Sequence, residues 1–241
     1  MTGSRSNAGS AVLRSELIDL SEGDDSQCFD WKDYPGNVEE ASGGLIGDTV
    51  LICGGAPRLG DIHDQCYGLS SRKSTFITNM STERWSAGSI VLDEKILWIS
   101  GGLSGGLAGS STPLSSSDLV TLIGSTPGPE LPMKLASHAK IAINDSYSMI
   151  IGGSAFYDNA FGSTTGSTHY YNHKDQVWVD GPTLNIARRS HAAGIVTDQV
   201  TKKTLIIVSG GDDGNGLIST EILVENQWIL GNCRYENINC Y

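Results

Sequence analysis

Short apolar runs alternate with glycine- and serine-rich breaks along the chain, and the runs recur in a fixed order. The clearest copy spans residues 188–228. Positions 191–196 mix small and β-branched residues, the pattern of a tightly packed strand. Positions 204–209 (TLIIVS) are apolar almost throughout, which predicts a strand covered on both faces. Gly210-Gly211 follows, then a polar loop over 212–216, a third apolar run over 219–224 and a fourth strand carrying Trp228.

The same order predicts three further units. One has strands over 41–46, 49–53 (TVLIC), 64–69 and 75–77, with Gly54-Gly55 after the second strand. The next opens at 83–88, continues through 96–99 to Gly101-Gly102, and has a third strand over 118–123. Its TPGPELP segment offers no Trp for a fourth strand. A third unit starts at Ser137-His138-Ala139, with strands over 141–143, 148–151, 169–171 and 177–179, and Gly152-Gly153 after the second. Near the amino terminus Glu16-Leu17-Ile18-Asp19-Leu20 parallels 221–224, and Trp31 stands where a fourth-strand Trp belongs. That stretch predicts the back half of a unit lacking its first two strands.

Gly54, Gly101, Gly152 and Gly210 are spaced by 47, 51 and 58 residues, and each directly follows an apolar run. A chain leaving a buried strand beneath neighbouring backbone needs φ values that a β-carbon penalises, which explains a diglycine there. This sequence of strand, strand, diglycine, long loop, strand and Trp-bearing strand resembles the kelch repeat. The resemblance implies an all-β, kelch-type β-propeller of four-stranded antiparallel blades. It divides the chain into a disordered segment (1–14), a half blade (15–35), four blades (about 36–80, 81–133, 134–183 and 184–231) and a Cys-containing tail (232–241). Four and a half units leave the ring incomplete or open, as in a piece of a longer protein.

Composition narrows the function. The 241 residues include 39% hydrophobic ones, enough for a core, and 30 glycines with no collagen period. The net charge of −11 disfavours nucleic acid as a partner. No apolar run has the length of a signal peptide or a membrane span, so no membrane insertion is expected. Among five cysteines, Cys53 and Cys66 sit on adjacent predicted strands of one unit and are candidates for a bridge. Cys233 and Cys240 form a second candidate pair in the tail, and Cys28 is left over. Asn79 and Asn144 head glycosylation triplets. Together these lean toward an extracellular parent protein, with a cytoplasmic one as the alternative.

No metal site or cofactor is expected. His169, Tyr171 and His173 alternate along a strand, but the reading preferred is ordinary third-strand packing. Asp212-Asp213-Gly214-Asn215-Gly216 lacks the length and terminal Glu of an EF-hand loop and reads as turn chemistry. His63 with Asp61 and Asp64 is a weak cluster. Arg84, Arg189, His138 and His191 are assigned one recurring position, with an architectural role between neighbouring blades. The resemblance extends to kelch-type enzymes such as galactose oxidase and sialic-acid epimerase, but no copper-binding Tyr/His set transfers to this sequence. The leading expectation is a protein-interaction scaffold without catalysis, binding an unidentified protein through rim loops 56–63, 103–116, 154–166 and 212–218. Arg58, His63, Phe156, Tyr157, Phe161, Asp212 and Asp213 are the candidate contacts. The alternatives are a carbohydrate- or small-molecule-active propeller enzyme and an incomplete product without independent function.

Overall fold

The computed structural model describes residues 15–18, 28–31, 35, 38–57, 62–70, 73–105, 111–156, 162–197 and 204–231. Every regular element among them is a β-strand. Four four-stranded antiparallel sheets dominate, each with its strands in chain order. Unit one comprises Ser42–Ile46, Thr49–Cys53, Gln65–Leu69 and Ser74–Asn79. Unit two comprises Gly88–Leu92, Ile96–Ser100, Ser117–Thr121 and Gly124–Pro127. Unit three comprises Ala139–Asn144, Tyr147–Ile151, Thr168–Asn172 and Val177–Asp180. Unit four comprises Ala192–Thr197, Thr204–Ser209, Thr220–Val224 and Gln227–Gly231. In the amino-terminal stretch, Ser15–Ile18 pairs antiparallel with Cys28–Trp31.

Burial explains the order of packing. Leu51, Cys53 and Cys66 of unit one bury against Leu97, Ile99 and Val120 of unit two. Ile90 and Trp98 of unit two pack with Tyr171 of unit three. Ile141, Met149 and Ile151 of unit three pack with Ile206, Val208 and Trp228 of unit four. Each such side chain contributes roughly 1.5–3 kcal/mol on leaving water, so these seams hold the sheets together. The sheets therefore stack face to face in chain order, an arrangement compatible with the blades of a propeller.

A backbone seam repeats alongside the apolar one. Glu40, Ser86, Ser137 and Ser190 precede the four first strands, and all have left-handed φ of 56°, 53°, 53° and 51°. The Ser86 N–H donates to the Glu40 carbonyl at 3.2 Å, Ser137 to Ser86 at 2.8 Å, and Ser190 to Ser137 at 2.8 Å. The diglycines lie against the following unit. A Cβ on Gly54 would meet the Arg84 carbonyl oxygen at 2.5 Å, one on Gly101 the Leu135 carbonyl at 2.3 Å, and one on Gly152 the Arg188 carbonyl at 2.4 Å. The turn demands positive φ, and the next unit's backbone independently excludes a side chain.

Two expectations need correction. Residues 204–209 were expected to be covered on both faces. The structure buries Ile206 and Val208 but leaves Leu205 and Ile207 half-buried, because no further sheet lies on that side of unit four among the described residues. The third strand of unit two ends at Thr121 rather than 123, since a turn closed by Thr121 and Gly124 leaves Ile123 exposed. The fourth strand of that unit, Gly124–Pro127, carries no Trp, in line with its sequence.

Candidate functional site

The four segments preceding the first strands converge on one concavity of about 300 Å³, lined by Glu40, Ala41, Ser86, Ala87, Ser137, His138, Ser190 and His191. The lining is mostly small because these residues occupy equivalent positions in units that crowd together. The Ser86 hydroxyl donates to the Glu40 carboxylate, whose pKa is raised by burial and by neighbouring Glu39. The two imidazoles turn toward the preceding unit. His138 Nε2 occupies the space a Cβ on Gly88 would take, and His191 Cε1 lies 2.9 Å from the Cβ position of Gly152. Both rings have buried nitrogens without partners among the described residues. Burial, with Lys140 and His191 nearby, pushes His138 down to about 3. Burial, with Arg188 nearby, pushes His191 down to about 4. Both are neutral at physiological pH and act as plugs between units.

Beside this concavity lies a repeated polar fixture. Arg84 donates to the carbonyls of Gly101 (2.8 Å) and Ser116 (2.9 Å), the Ser116 hydroxyl (3.3 Å) and the Asp118 carboxylate (2.8 Å). Arg188 makes the same four bonds to the carbonyls of Gly210 (2.8 Å) and Ser219 (3.0 Å), the Ser219 hydroxyl (3.1 Å) and the Glu221 carboxylate (2.9 Å). Each acid also accepts a backbone N–H three residues before its arginine, from Ser81 or Asn185. This corrects the sequence expectation of one shared position: His138 and His191 stand three residues after the arginine position, where units one and two carry Ala41 and Ala87, and the second arginine is off by one residue. The position equivalent to Arg84 is Arg188, and Arg189 instead reaches Asp212 at 3.4 Å near the surface. The arginine side chains tie together their own units, while their carbonyls receive the N–H of Gly55 and Gly153 from the unit before. Units one and three carry Val38 with Tyr67 and Leu135 with His169 at these two positions, so arginine and acid are present or absent together. A buried charge left single is strongly unfavourable, and that accounts for the pairing.

Another buried basic side chain had no sequence signal. Lys140 stands on the face of unit three toward unit two, its Nζ 3.1 Å from the centre of the Trp98 ring and 3.0 Å from the Ser100 hydroxyl. Burial, with Arg84 adding, lowers its pKa well below the usual lysine range. Trp98 also meets Tyr171, and Tyr171 meets Trp178, at centroid distances of 5.1 and 4.9 Å. Leu119, Pro127, Pro129, Tyr171 and Trp178 line an outer groove of about 400 Å³ between units two and three. The indole N–H of Trp178 donates to the Glu130 carbonyl, and that of Trp228 to the Pro182 carbonyl, each reaching the linker before its own unit.

The remaining candidates fall in different places. Arg58, Tyr157, Phe161, Asp61, Cys233 and Cys240 lie outside the described residues, as does the side chain of Cys28. His63 is half-buried, and its N–H donates to the Gly55 carbonyl. Phe156 is half-buried with its ring against Gly162 of its own loop. Asp212 accepts the Gly214 N–H and Asp213 the Asn215 N–H, the bonds of consecutive turns. Burial is not what shifts Asp212: the Gly214 bond and Arg189 hold its pKa below the usual range.

His169 pairs with Asp180 at 2.9 Å, whereas His173 meets the Ser148 hydroxyl at 2.8 Å, so the two imidazoles have separate partners. Among the described residues no group of three or more His, Cys, Asp or Glu has the geometry to hold a metal ion. Cys53 and Cys66 are disulfide-bonded at directly opposed positions on neighbouring strands. Asn79 and Asn144 are exposed, but the Ser81 hydroxyl of the first triplet donates to buried Asp118, and Asn144 Oδ1 accepts the N–H of Ser146 and Tyr147 in a turn. No helix among the described residues is long and apolar enough to cross a membrane. Comparison with known proteins finds no matching family model and no matching curated protein.

Proposed function

We propose that the chain is a kelch-type repeat scaffold that binds a protein partner through the loops following its second strands. The observation that carries this reading is the fourfold recurrence of one loop origin. Gly55, Gly102, Gly153 and Gly211 each accept at their carbonyl the N–H of a residue closing a loop, from His63, Leu114, Thr165 and Leu217. Four loops of different sequence thus leave equivalent points on rigid, stacked sheets, which is how a scaffold presents variable contact segments. The concavity supports the same reading. Five of its eight lining residues are Ser or Ala, and its two imidazoles are turned into the seams between units.

Affinity capture tests the proposal with the wild-type chain and a Phe156→Ala/Tyr157→Ala/Phe161→Ala variant. A partner retained by the wild type and lost by the variant, at unchanged circular dichroism, is the expected result. An identical set of captured proteins overturns the role of this loop.

A further inference from the structure

Every seam between successive units uses the same three backbone hydrogen bonds. The second glycine of one unit donates to the residue at the arginine position of the next: Gly55 to Arg84 (2.9 Å), Gly102 to Leu135 (2.8 Å) and Gly153 to Arg188 (2.8 Å). That residue's N–H returns a bond to a loop carbonyl of the earlier unit: Arg84 to His63, Leu135 to Leu114 and Arg188 to Thr165. The third bond joins the left-handed residues, ending with Ser190 on Ser137. Unit four presents the same set on its far side, and no described residue meets it. Among the described residues, the Gly211 N–H and the carbonyls of Leu217 and Ser190 have no partner.

Sterics agree with the hydrogen bonds. The Cβ positions of Gly54, Gly101 and Gly152 are blocked by the next unit at 2.3–2.5 Å, yet at Gly210 the nearest such atom is the chain's own Leu217 oxygen at 3.7 Å. A Cβ on Gly44 would collide with Val91 of the next unit, but nothing lies within 4 Å of its equivalent on Gly194. Apolar side chains on this face are left wet: Val196 is 49% exposed and Ile229 48%. The second strands of units two and three bury both faces at their last four positions, whereas that of unit four alternates.

The opposite end of the stack shows the complementary deficit. In unit one the residue at the arginine position is Val38, and among the described residues its N–H and carbonyl, and the Glu40 N–H, have no partner. These are the two donors and one acceptor that Leu217, Ser190 and Gly211 call for. On the same end, Leu45 is 59% exposed, and Val50 and Ile52 are half-exposed. We propose that unit four of one chain docks on unit one of a second copy, head to tail, repeating between chains the seam that joins units within one. The contact is heterologous, so two chains form a closed ring if the rotation allows and longer assemblies if it does not. The proposal does not depend on the loop-binding role proposed above.

Sedimentation of the full chain from about 1 to about 100 µM tests it, together with Ile207→Glu on the unit-four face and Ile52→Glu on the unit-one face. Self-association is expected for the wild type, with each variant weakened by at least about 100-fold, since either carboxylate would be buried unpaired in the seam. Mixing the two variants should restore a two-chain species, because each retains the end the other lacks. Val196→Lys is a second probe of the unit-four face should Ile207→Glu disturb folding by circular dichroism. A wild type that stays monomeric across the range, as when a chain closes on its own unit one, overturns the proposal. So does association that survives both unit-four substitutions, or a mixture that stays monomeric.

Discussion

The guanidinium of Arg188 and the carboxylate of Glu221 meet at 2.9 Å with both side chains fully buried, and Arg84 repeats the arrangement with Asp118 one unit pair earlier. Burying both charges is tolerable because carbonyls, a hydroxyl and linker N–H groups satisfy every direction except the Nε of each arginine. Arg188→Leu leaves the Glu221 carboxylate buried without its cation and should cost about 3–5 kcal/mol in urea unfolding. Arg188→Leu combined with Glu221→Gln removes the buried charge and keeps an oxygen acceptor for the Asn185 N–H, and should recover at least about 2 kcal/mol of that loss. A double variant no more stable than the single would mean that the charge is not what makes the loss large.

Acid should loosen the seams between units. His138 and His191 are pushed down to about 3 and about 4, below the ordinary 6.5. The unfolded chain therefore binds protons that the folded chain refuses as pH falls from about 6.5 toward 4. Each histidine then removes up to about 1.4 kcal/mol of stability per pH unit, while stability above pH 7 is unaffected by them. Glu40, whose pKa is raised by burial first, works in the opposite direction near the carboxylate range. His138→Ala, which installs the alanine that units one and two carry at this position, should flatten the slope between pH 6.5 and 5. An unchanged slope would show that the ring is not the titrating group.

Much of this organisation is legible in the sequence, because apolar runs ending in diglycine carry both the strand period and the turn. TVLIC and TLIIVS match observed strands residue for residue. The finer polar fixture is harder to read. Arg188-Arg189 offers two adjacent arginines, and the two-residue step to the serine before the first strand, Arg84 to Ser86 and Arg188 to Ser190, shows which one is equivalent. Lys140 gives no signal at all, since its burial depends on Trp98 from a different unit. The uncovered sides of units one and four escape a linear reading for the same reason: an apolar residue looks alike in sequence whether or not a neighbour covers it.

Reduction should weaken unit one specifically. The Cys53–Cys66 bridge closes a separation of 13 residues, for which loop-closure entropy predicts about 3 kcal/mol. The equivalent pair in unit four, Ser209 and Thr220, makes a 2.9 Å hydroxyl contact instead, so the strands pair without a covalent link. A Cys53→Ser/Cys66→Ser chain should therefore fold with a lower midpoint and respond less to dithiothreitol in thermal melts than the wild type. If reductant shifts the wild type no more than this variant, the bridge contributes nothing to stability.

Four glycines provide the most direct comparison. Gly54, Gly101, Gly152 and Gly210 all adopt left-handed φ, 68°, 64°, 57° and 69°, so alanine at any of them meets the same backbone penalty of roughly 1–2 kcal/mol. Only the first three also lie under the next unit's carbonyl at 2.3–2.5 Å. Unfolding free energies of the four Gly→Ala chains, measured at concentrations low enough to keep every chain monomeric, should divide three to one. Gly210→Ala should lose the backbone penalty alone, and each of the others at least about 2 kcal/mol more. Four equal losses would contradict a repeat whose successive sheets lock together through this seam.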